Sequence, residues 1–414
     1  MIRRRDLLAF AVASTVAGCK RSARDREGRV RLRFWYSLGG RNREVLLEIV
    51  RRFHASQHDV IVEPVHQGEY FESLAKLRTA IAAKSAPGLS HVVAEVLPYL
   101  ARADVLEPLD ALRDVPFVPA LGQAGAFRGG GERAMFGVPL NRSTPLMYLN
   151  GELFAAARRS APKSWDELVD TARALTVPGQ RWGYEVPISW WFWVALVGQA
   201  GGAVFDDDGR PTLGGDAGVR ALRFWQDLVH RHRVMRPPPG RDYNAWDVTN
   251  TDFLSGKTAF IWTSTAYIRY LEDTARFPVV AAPLPRDVRA SVPTGGTFFV
   301  VPKQAPEDEK RAAVRFLRFF CEPEQVTLLS TRTGYLPITE PAVARLRADG
   351  FYAQHPNDAV AQAQLADVDP WPWEPMLFRI ERDIVDPKLE EAVLLDRPAE
   401  QVLDSARAAA ARRG

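Results

Sequence analysis

The chain has 414 residues, too many for one ordinary core, so two or more domains are expected. Hydrophobic residues at 46% and charged residues at 25% are globular values and argue against a disordered chain. The net charge of +4 does not mark a nucleic-acid binder. Residues 1–33 alone hold ten Lys/Arg against three Asp/Glu, which leaves the remainder at −3.

That basic excess belongs to a leader. Arg3, Arg4 and Arg5 precede a short apolar run, Leu7 to Val16, and Val16-Ala17-Gly18-Cys19 puts small residues before a cysteine. The run is too short to span a bilayer. It resembles a lipoprotein signal, which implies cleavage after residue 18, lipidation of Cys19 and a tether over residues 19–29. Arg4-Arg5-Asp6-Leu7-Leu8 also resembles a twin-arginine export signal. The expectation is an exported protein anchored by lipid on the periplasmic or outer face of a bacterial membrane. Cys321 is the only other cysteine, so no internal disulfide can form and the exported part must fold by core packing alone.

Arg31 to Trp35 alternates as a strand. Val45, Leu46, Ile49, Val50 and Phe53 then recur at helical spacing. Val60 to Val65 is a second strand, Phe71 to Ile81 a second helix, and Leu89 to Ala94 a third strand. This alternation predicts a parallel α/β sheet with ligands at the carboxyl ends of its strands. Ser37 to Asn42, Gly68 to Tyr70 and Glu95 fall at that edge. Glu95 suits ligand hydroxyls there; its alternatives are a helix N-cap or a surface acid.

Phe127 to Ala134 reads as a hairpin loop around Gly129-Gly130-Gly131. Ala134 to Leu140 and Leu146 to Asn150 read as strands on either side of a polar knot, Asn141-Arg142-Ser143-Thr144. Pro145 lacks a donor, so the knot is an edge, a turn or a crossing point. Ser164-Trp165-Asp166-Glu167 is a capping box opening a helix to Leu175. Ser189 to Trp193 packs three tryptophans into five residues, more than one helix face needs. Trp rings suit sugar or glycerol faces, with core filling as the alternative. Asp216 to Arg233 is a long helix. Asp252 to Trp262 reads as a helix end, a turn and a strand, which leads to the hydroxyls Thr263-Ser264-Thr265. Gly256-Lys257-Thr258 is no phosphate loop, because residue 251, where the motif needs glycine, is Thr. Gly295-Gly296 lets a ligand approach the backbone. Glu307 to Cys321 is an amphipathic helix, Thr333 to Ile338 a rigid aromatic crossing, Asp369 to Pro375 a surface loop, and Pro398 to Arg413 a helix.

These pieces carry a resemblance. Phe34-Trp35-Tyr36-Ser37, Gly68-Glu69-Tyr70, Pro139 to Asn150, Pro162-Lys163-Ser164-Trp165, Gly295-Gly296 and Thr333-Gly334-Tyr335-Leu336-Pro337-Ile338-Thr339 are among those that run collinearly over nearly the whole mature chain. Together they resemble the solute-binding proteins of ABC importers, and among them those for sn-glycerol-3-phosphate. The resemblance implies an α/β, two-lobed periplasmic-binding-protein fold of type II with three interlobe crossings. Residues 30–139 and 291–336 would form one lobe, and residues 140–290 and 337–414 the other. It implies Tyr70, Glu95, Ser143, Gly296, Tyr335 and Arg382 as ligand residues, with a serine position at Ser264 or Thr265 and a stacking tryptophan at Trp190 or Trp191. The alternative for Arg382 is a helix ion pair with Asp383 or Asp386. The chain departs from the family at Arg142, in the Trp-rich segment and in the Asp369 to Pro375 loop.

The implied partners are a small-molecule ligand (glycerol phosphate, a glycerophosphodiester or a sugar) and the transmembrane subunits of an ABC permease. The protein is expected to be monomeric, with no cofactor, no metal and no catalysis. The rival class is an exported hydrolase, but neither His-Glu-x-x-His nor Gly-x-Ser-x-Gly occurs. His54 and His58 are four residues apart and lack an evident third ligand, which suits a surface helix.

Overall fold

The computed structural model describes residues 24–122, 126–129 and 132–412. The leader, Cys19 and the start of the tether lie outside the described residues.

The chain opens as its alternation predicts. Strand β1 (Val30–Tyr36) leads to helix Gly40–Ser56, β2 (Val60–His66), helix Tyr70–Ala82 and β3 (Ser90–Val93). β1 and β2 pair in parallel from Val30↔Val60 to Tyr36↔His66, and Phe34 bridges Leu89 in parallel. The inward face of the first helix is the apolar set read from spacing, Val45, Leu46, Ile49, Val50 and Phe53. His54 does not turn outward: its Nε2 accepts from the Val62 amide at 2.9 Å and ties the helix to β2.

β4 (Ala126–Gly129) and β5 (Glu132–Met135) form the expected hairpin. The segment Ala134 to Leu140 is not one strand. It breaks at Phe136 and Gly137, and β6 is only Val138–Pro139. The chain turns there to pair with a different segment, Phe298↔Pro139 and Phe299↔Val138, and a Cβ on Gly137 would lie 2.9 Å from the Phe298 Cβ.

β7 (Pro145–Asn150), β8 (Trp182–Glu185), β9 (Thr258–Ser264) and β10 (Val279–Ala282) form a second sheet in the order β10-β7-β9-β8. β7 runs antiparallel to both neighbours, and β8 runs parallel to β9. Pro145 is therefore in an interior strand, not at an edge. It is tolerated because it is the first residue, beyond the reach of β10, which pairs only from Met147 to Asn150. β11 (Thr297–Val300) then returns to the first sheet and pairs antiparallel with β3 and β6. The first sheet is mixed for this reason: β11 arrives from the other lobe and runs antiparallel to both of its neighbours.

The first lobe's core gathers Phe34, Phe53 and Phe299 against Phe316 and Phe320 of helix Glu307–Phe320. Phe53 meets Phe316 edge-on at 5.2 Å, and Phe299 meets Phe320 at 4.9 Å. Each such ring contributes about 1.5–3 kcal/mol by leaving water. Cys321 is buried at the end of that helix, and burial pushes its thiol up to about 12. The second lobe's core holds Tyr184, Trp193, Trp225 and Trp262, closed by Val385, Leu389 and Leu403 of the C-terminal helices. Local signals fix the element starts. Ser164 Oγ accepts from the Glu167 amide at 3.2 Å, while Glu167 Oε2 accepts from the Lys163 amide at 2.7 Å, one residue before the reciprocal partner of a strict capping box.

Three segments pass between the two sheets and lie side by side. The knot 140–144 joins β6 to β7, residues 283–296 join β10 to β11, and Gly334 to Thr339 leaves helix Pro323–Thr333. Ser143 and Gly295 bond each other through their backbones, and the Leu336 amide donates to the Arg142 carbonyl at 2.8 Å.

Candidate ligand-binding site

The crossings form the floor of a cleft of about 930 Å³ between the lobes. A smaller recess of about 400 Å³ lies at the tether, where Arg24 pairs with Asp308 and Arg315 with Asp59; it shares no residue with the crossings.

From the first lobe, Tyr70 opens its helix at the cleft, and its hydroxyl accepts from Asn141 Nδ2 at 2.8 Å. Glu95 follows β3 in a short helical turn, Ala94–Val96, and is 7% exposed. It is neither a surface acid nor a cap: the turn has no side-chain cap. Burial pushes its carboxyl up to about 7, with Arg142 pulling the other way.

The floor contributes Ser143, Gly296 and Tyr335. Gly296 has φ +87, and a Cβ there would fall 1.8 Å from the Asn141 carbonyl oxygen, so only glycine fits. The Tyr335 hydroxyl accepts from Asn42 Nδ2 at 3.2 Å, which joins the third crossing to the first helix. Arg382 comes from the C-terminal segment that packs in the second lobe. Its guanidinium carbon lies 4.2 Å from the ring centroid of Phe71 of the first lobe, and Nη1 reaches Asp386 Oδ2 at 3.4 Å. The ion pair with Asp386 and the cleft position therefore coexist.

The two open positions separate. Trp191 lines the cleft and donates from Nε1 to the Thr294 carbonyl at 3.1 Å. Trp190 does not line it. It is fully buried in the second lobe's core beside Trp193, because adjacent residues on a helix point about 100° apart. Ser264 lines the cleft, and its Oγ accepts from the Ala266 amide at 3.2 Å. Thr265 is fully buried, is not among the lining residues, and bonds through its amide to the Thr144 carbonyl.

The three departures from the family pattern meet at one residue. Arg142 Nη2 donates to Thr294 Oγ1 at 2.7 Å, while Trp191 and Trp371 both donate to the Thr294 carbonyl, at 3.1 and 2.7 Å. Arg142 is fully buried with its guanidinium 4.6 Å over the Phe298 ring, and its Nε and Nη1 have no hydrogen-bond partner among the described residues. Burial pushes it down to about 10 while Glu95 opposes the shift.

Sequence reasoning places only the end of helix Asp242–Leu254, at Asp252, and misses its earlier turns, which bring Trp246, Asp247 and Asn250 to the cleft. It buries Thr249, Asn250 and Asp252 alongside Ala245 and Phe253, so polar residues interrupt its apolar periodicity. Trp246 continues an aromatic wall: 5.3 Å and 35° from Trp191, 6.3 Å and 31° from Tyr267.

Two lobes on a shared floor of three crossings, with polar groups from both lobes facing one cleft, define a solute-binding protein of the type II periplasmic-binding fold. The chain belongs to the bacterial extracellular solute-binding proteins, whose family model matches residues 48–359. It is 25% identical to the sn-glycerol-3-phosphate-binding periplasmic protein UgpB of Escherichia coli K12 over 90% of each chain. It is 26% identical to the protein of that name from Yersinia pestis, over 90% of this chain and 89% of that one. Among solved structures, UgpB from Mycobacterium tuberculosis in complex with glycerophosphocholine superimposes with a TM-score of 0.82 at 24% identity, covering 92% of this chain and 97% of that one. Maltose-bound T. maritima MalE3 also gives 0.82, at 19% identity over 93% of this chain and 100% of that one.

Proposed function

We propose that this chain is the lipid-anchored solute-binding component of an ABC importer. It captures sn-glycerol-3-phosphate or a glycerophosphodiester such as glycerophosphocholine and hands it to a membrane permease, without chemistry of its own. The observation that carries the reading is the convergence of Arg382, Ser143, Ser264 and Gly296 on one cleft with Tyr70, Glu95 and Tyr335. A phosphate needs a planar cationic fork, hydroxyl donors and backbone that can be approached closely, and this set offers all three. Glu95 repels phosphate and accepts from hydroxyls, so it orients the glycerol end. The Cys19 lipobox and the tether over residues 19–29 support the anchor.

Residues 30–139 with 291–336 and residues 140–290 with 337–414 act as two bodies that close on the ligand. Contacts made from both favour the closed form, which the permease then receives. A second reading, capture of an oligosaccharide, is favoured by the wall of Trp191, Trp246 and Tyr267, whose faces suit pyranose rings.

A thermal-shift panel tests the choice. A ligand at 100 times its dissociation constant stabilises by about 2.7 kcal/mol. A rise in Tm with glycerol-3-phosphate or glycerophosphocholine, and none with maltose or trehalose, is expected. A rise with a disaccharide alone rejects the phosphate reading, and release of product from a glycerophosphodiester rejects pure binding.

A further inference from the structure

The phosphate-directed groups occupy only part of the cleft. About 930 Å³ is near the upper end of small-molecule pockets and leaves room beyond a three-carbon phosphate. On the second lobe's wall, Trp246 and Asn250 stand four residues apart on helix Asp242–Leu254 and so share a face, with Asp247 beside them. Asn250 is 1% exposed, and neither its amide oxygen nor its amide nitrogen has a hydrogen-bond partner among the described residues. The Ser189 hydroxyl, which opens the tryptophan helix without capping it, faces the same cleft and is equally unpartnered. A buried amide or hydroxyl costs free energy unless something meets it, and most such groups in folded proteins are met.

We infer that Trp246, Asp247, Asn250 and Ser189 form a second ligand subsite that selects a polyhydroxylated head group, a polyol or a sugar ring. The amide offers one acceptor and two donors, and a hydroxyl both donates and accepts. A quaternary ammonium does neither and leaves Asn250 unmet. The Asp247 carboxylate accepts from a further hydroxyl. The rings of Trp246 and Trp191, 5.3 Å apart, give the C–H faces of such a group a surface to cover. The favoured ligand is then a glycerophosphodiester whose alcohol is itself a polyol. That identification rests on the phosphate reading above, whereas the subsite does not.

Calorimetric titration of the full chain with glycerophosphoinositol, glycerol-3-phosphate and maltose separates the two. In Asn250→Ala, the ratio of affinity for glycerophosphoinositol to that for glycerol-3-phosphate falls at least tenfold. Asn250→Leu gives the same loss without lowering Tm, because it replaces an unmet amide with an apolar group. A ratio within twofold of the wild type in both variants overturns the subsite and leaves the phosphate reading standing. If only maltose binds, and Asn250→Ala weakens it at least tenfold, the phosphate reading has failed and the subsite stands. Maltose binding untouched by the variant overturns both.

Discussion

Ser143 and Gly295 exchange both backbone hydrogen bonds, 3.2 Å from the Ser143 amide to the Gly295 carbonyl and 2.7 Å in return. This pair splices two crossings into a short ribbon, and the next residue, Gly296, turns the chain into β11 at φ +87. The ribbon fixes where Ser143 stands, so the geometry of the crossings and of the cleft floor is set by the same atoms.

Gly296→Ala therefore destabilises the fold. The added Cβ meets the Asn141 carbonyl oxygen at 1.8 Å on a backbone that disfavours any side chain. A loss of about 2–4 kcal/mol is expected by chemical denaturation. Gly256→Ala is the control. It has φ +76 and nothing within 4 Å of the added atom, so it loses only about 1 kcal/mol. Equal losses at the two sites would contradict the account of the crossing.

With Glu95 in the proposed ligand role, both stability and capture depend on pH. Its carboxyl is raised from 4.5 to about 7, chiefly by burial. The folded state then holds an extra proton between those values, so stability falls as pH rises through the window, by about 1.4 kcal/mol per unit. Glu185, likewise raised to about 7 by burial, adds to the same fall, so stability alone does not isolate Glu95. Ligand affinity does. The carboxylate is the form that accepts from a glycerol hydroxyl, so affinity for a glycerophosphodiester, whose own charge is constant, rises several-fold from about pH 6 to about pH 8. Glu95→Gln flattens the profile. A profile that keeps its slope in that variant would assign it to another group.

Trp190 and Trp191 are neighbours that point apart, one into the core and the other into the cleft. Trp190→Ala empties a fully buried site in the second lobe and costs about 3–5 kcal/mol of stability, with affinity kept in the molecules that fold. Trp191→Ala removes a cleft wall and weakens ligand binding about two- to tenfold. Denaturation and titration of both variants check the division; affinity lost at Trp190 but not at Trp191 would reverse it.

Much of this architecture is legible in the sequence because hydrophobic burial leaves a period. The five inward residues of helix Gly40–Ser56 are those that spacing names, and β1 to β3 follow the strand–helix alternation. The knot around Ser143 is legible because Pro145 and four polar residues interrupt two apolar runs. What period cannot supply is direction between adjacent residues. Nothing before the helix phase is known tells Trp190 from Trp191, or the strand's end from the turn at Ser264 and Thr265. The three departures from the family pattern look unrelated in sequence, yet Arg142, Trp191 and Trp371 all converge on Thr294. Helix Asp242–Leu254 shows only its end in the sequence, because Thr249, Asn250 and Asp252 are buried beside Ala245 and Phe253 and break its apolar stripe.

The most direct test is calorimetric titration of glycerol-3-phosphate and glycerophosphocholine into the wild type and Arg382→Ala. Arg382 stands over Phe71 at 4.2 Å and faces the cleft, so it is the group assigned to phosphate. Removing one partner of a desolvated, hydrogen-bonded charge pair costs about 2–5 kcal/mol, roughly 30-fold to 5,000-fold in affinity. The account predicts tight binding of at least one of the two ligands by the wild type, its loss in Arg382→Ala, and an unfolding transition that stays cooperative. Wild-type affinity retained by the variant, or a wild type that binds neither ligand, would contradict it.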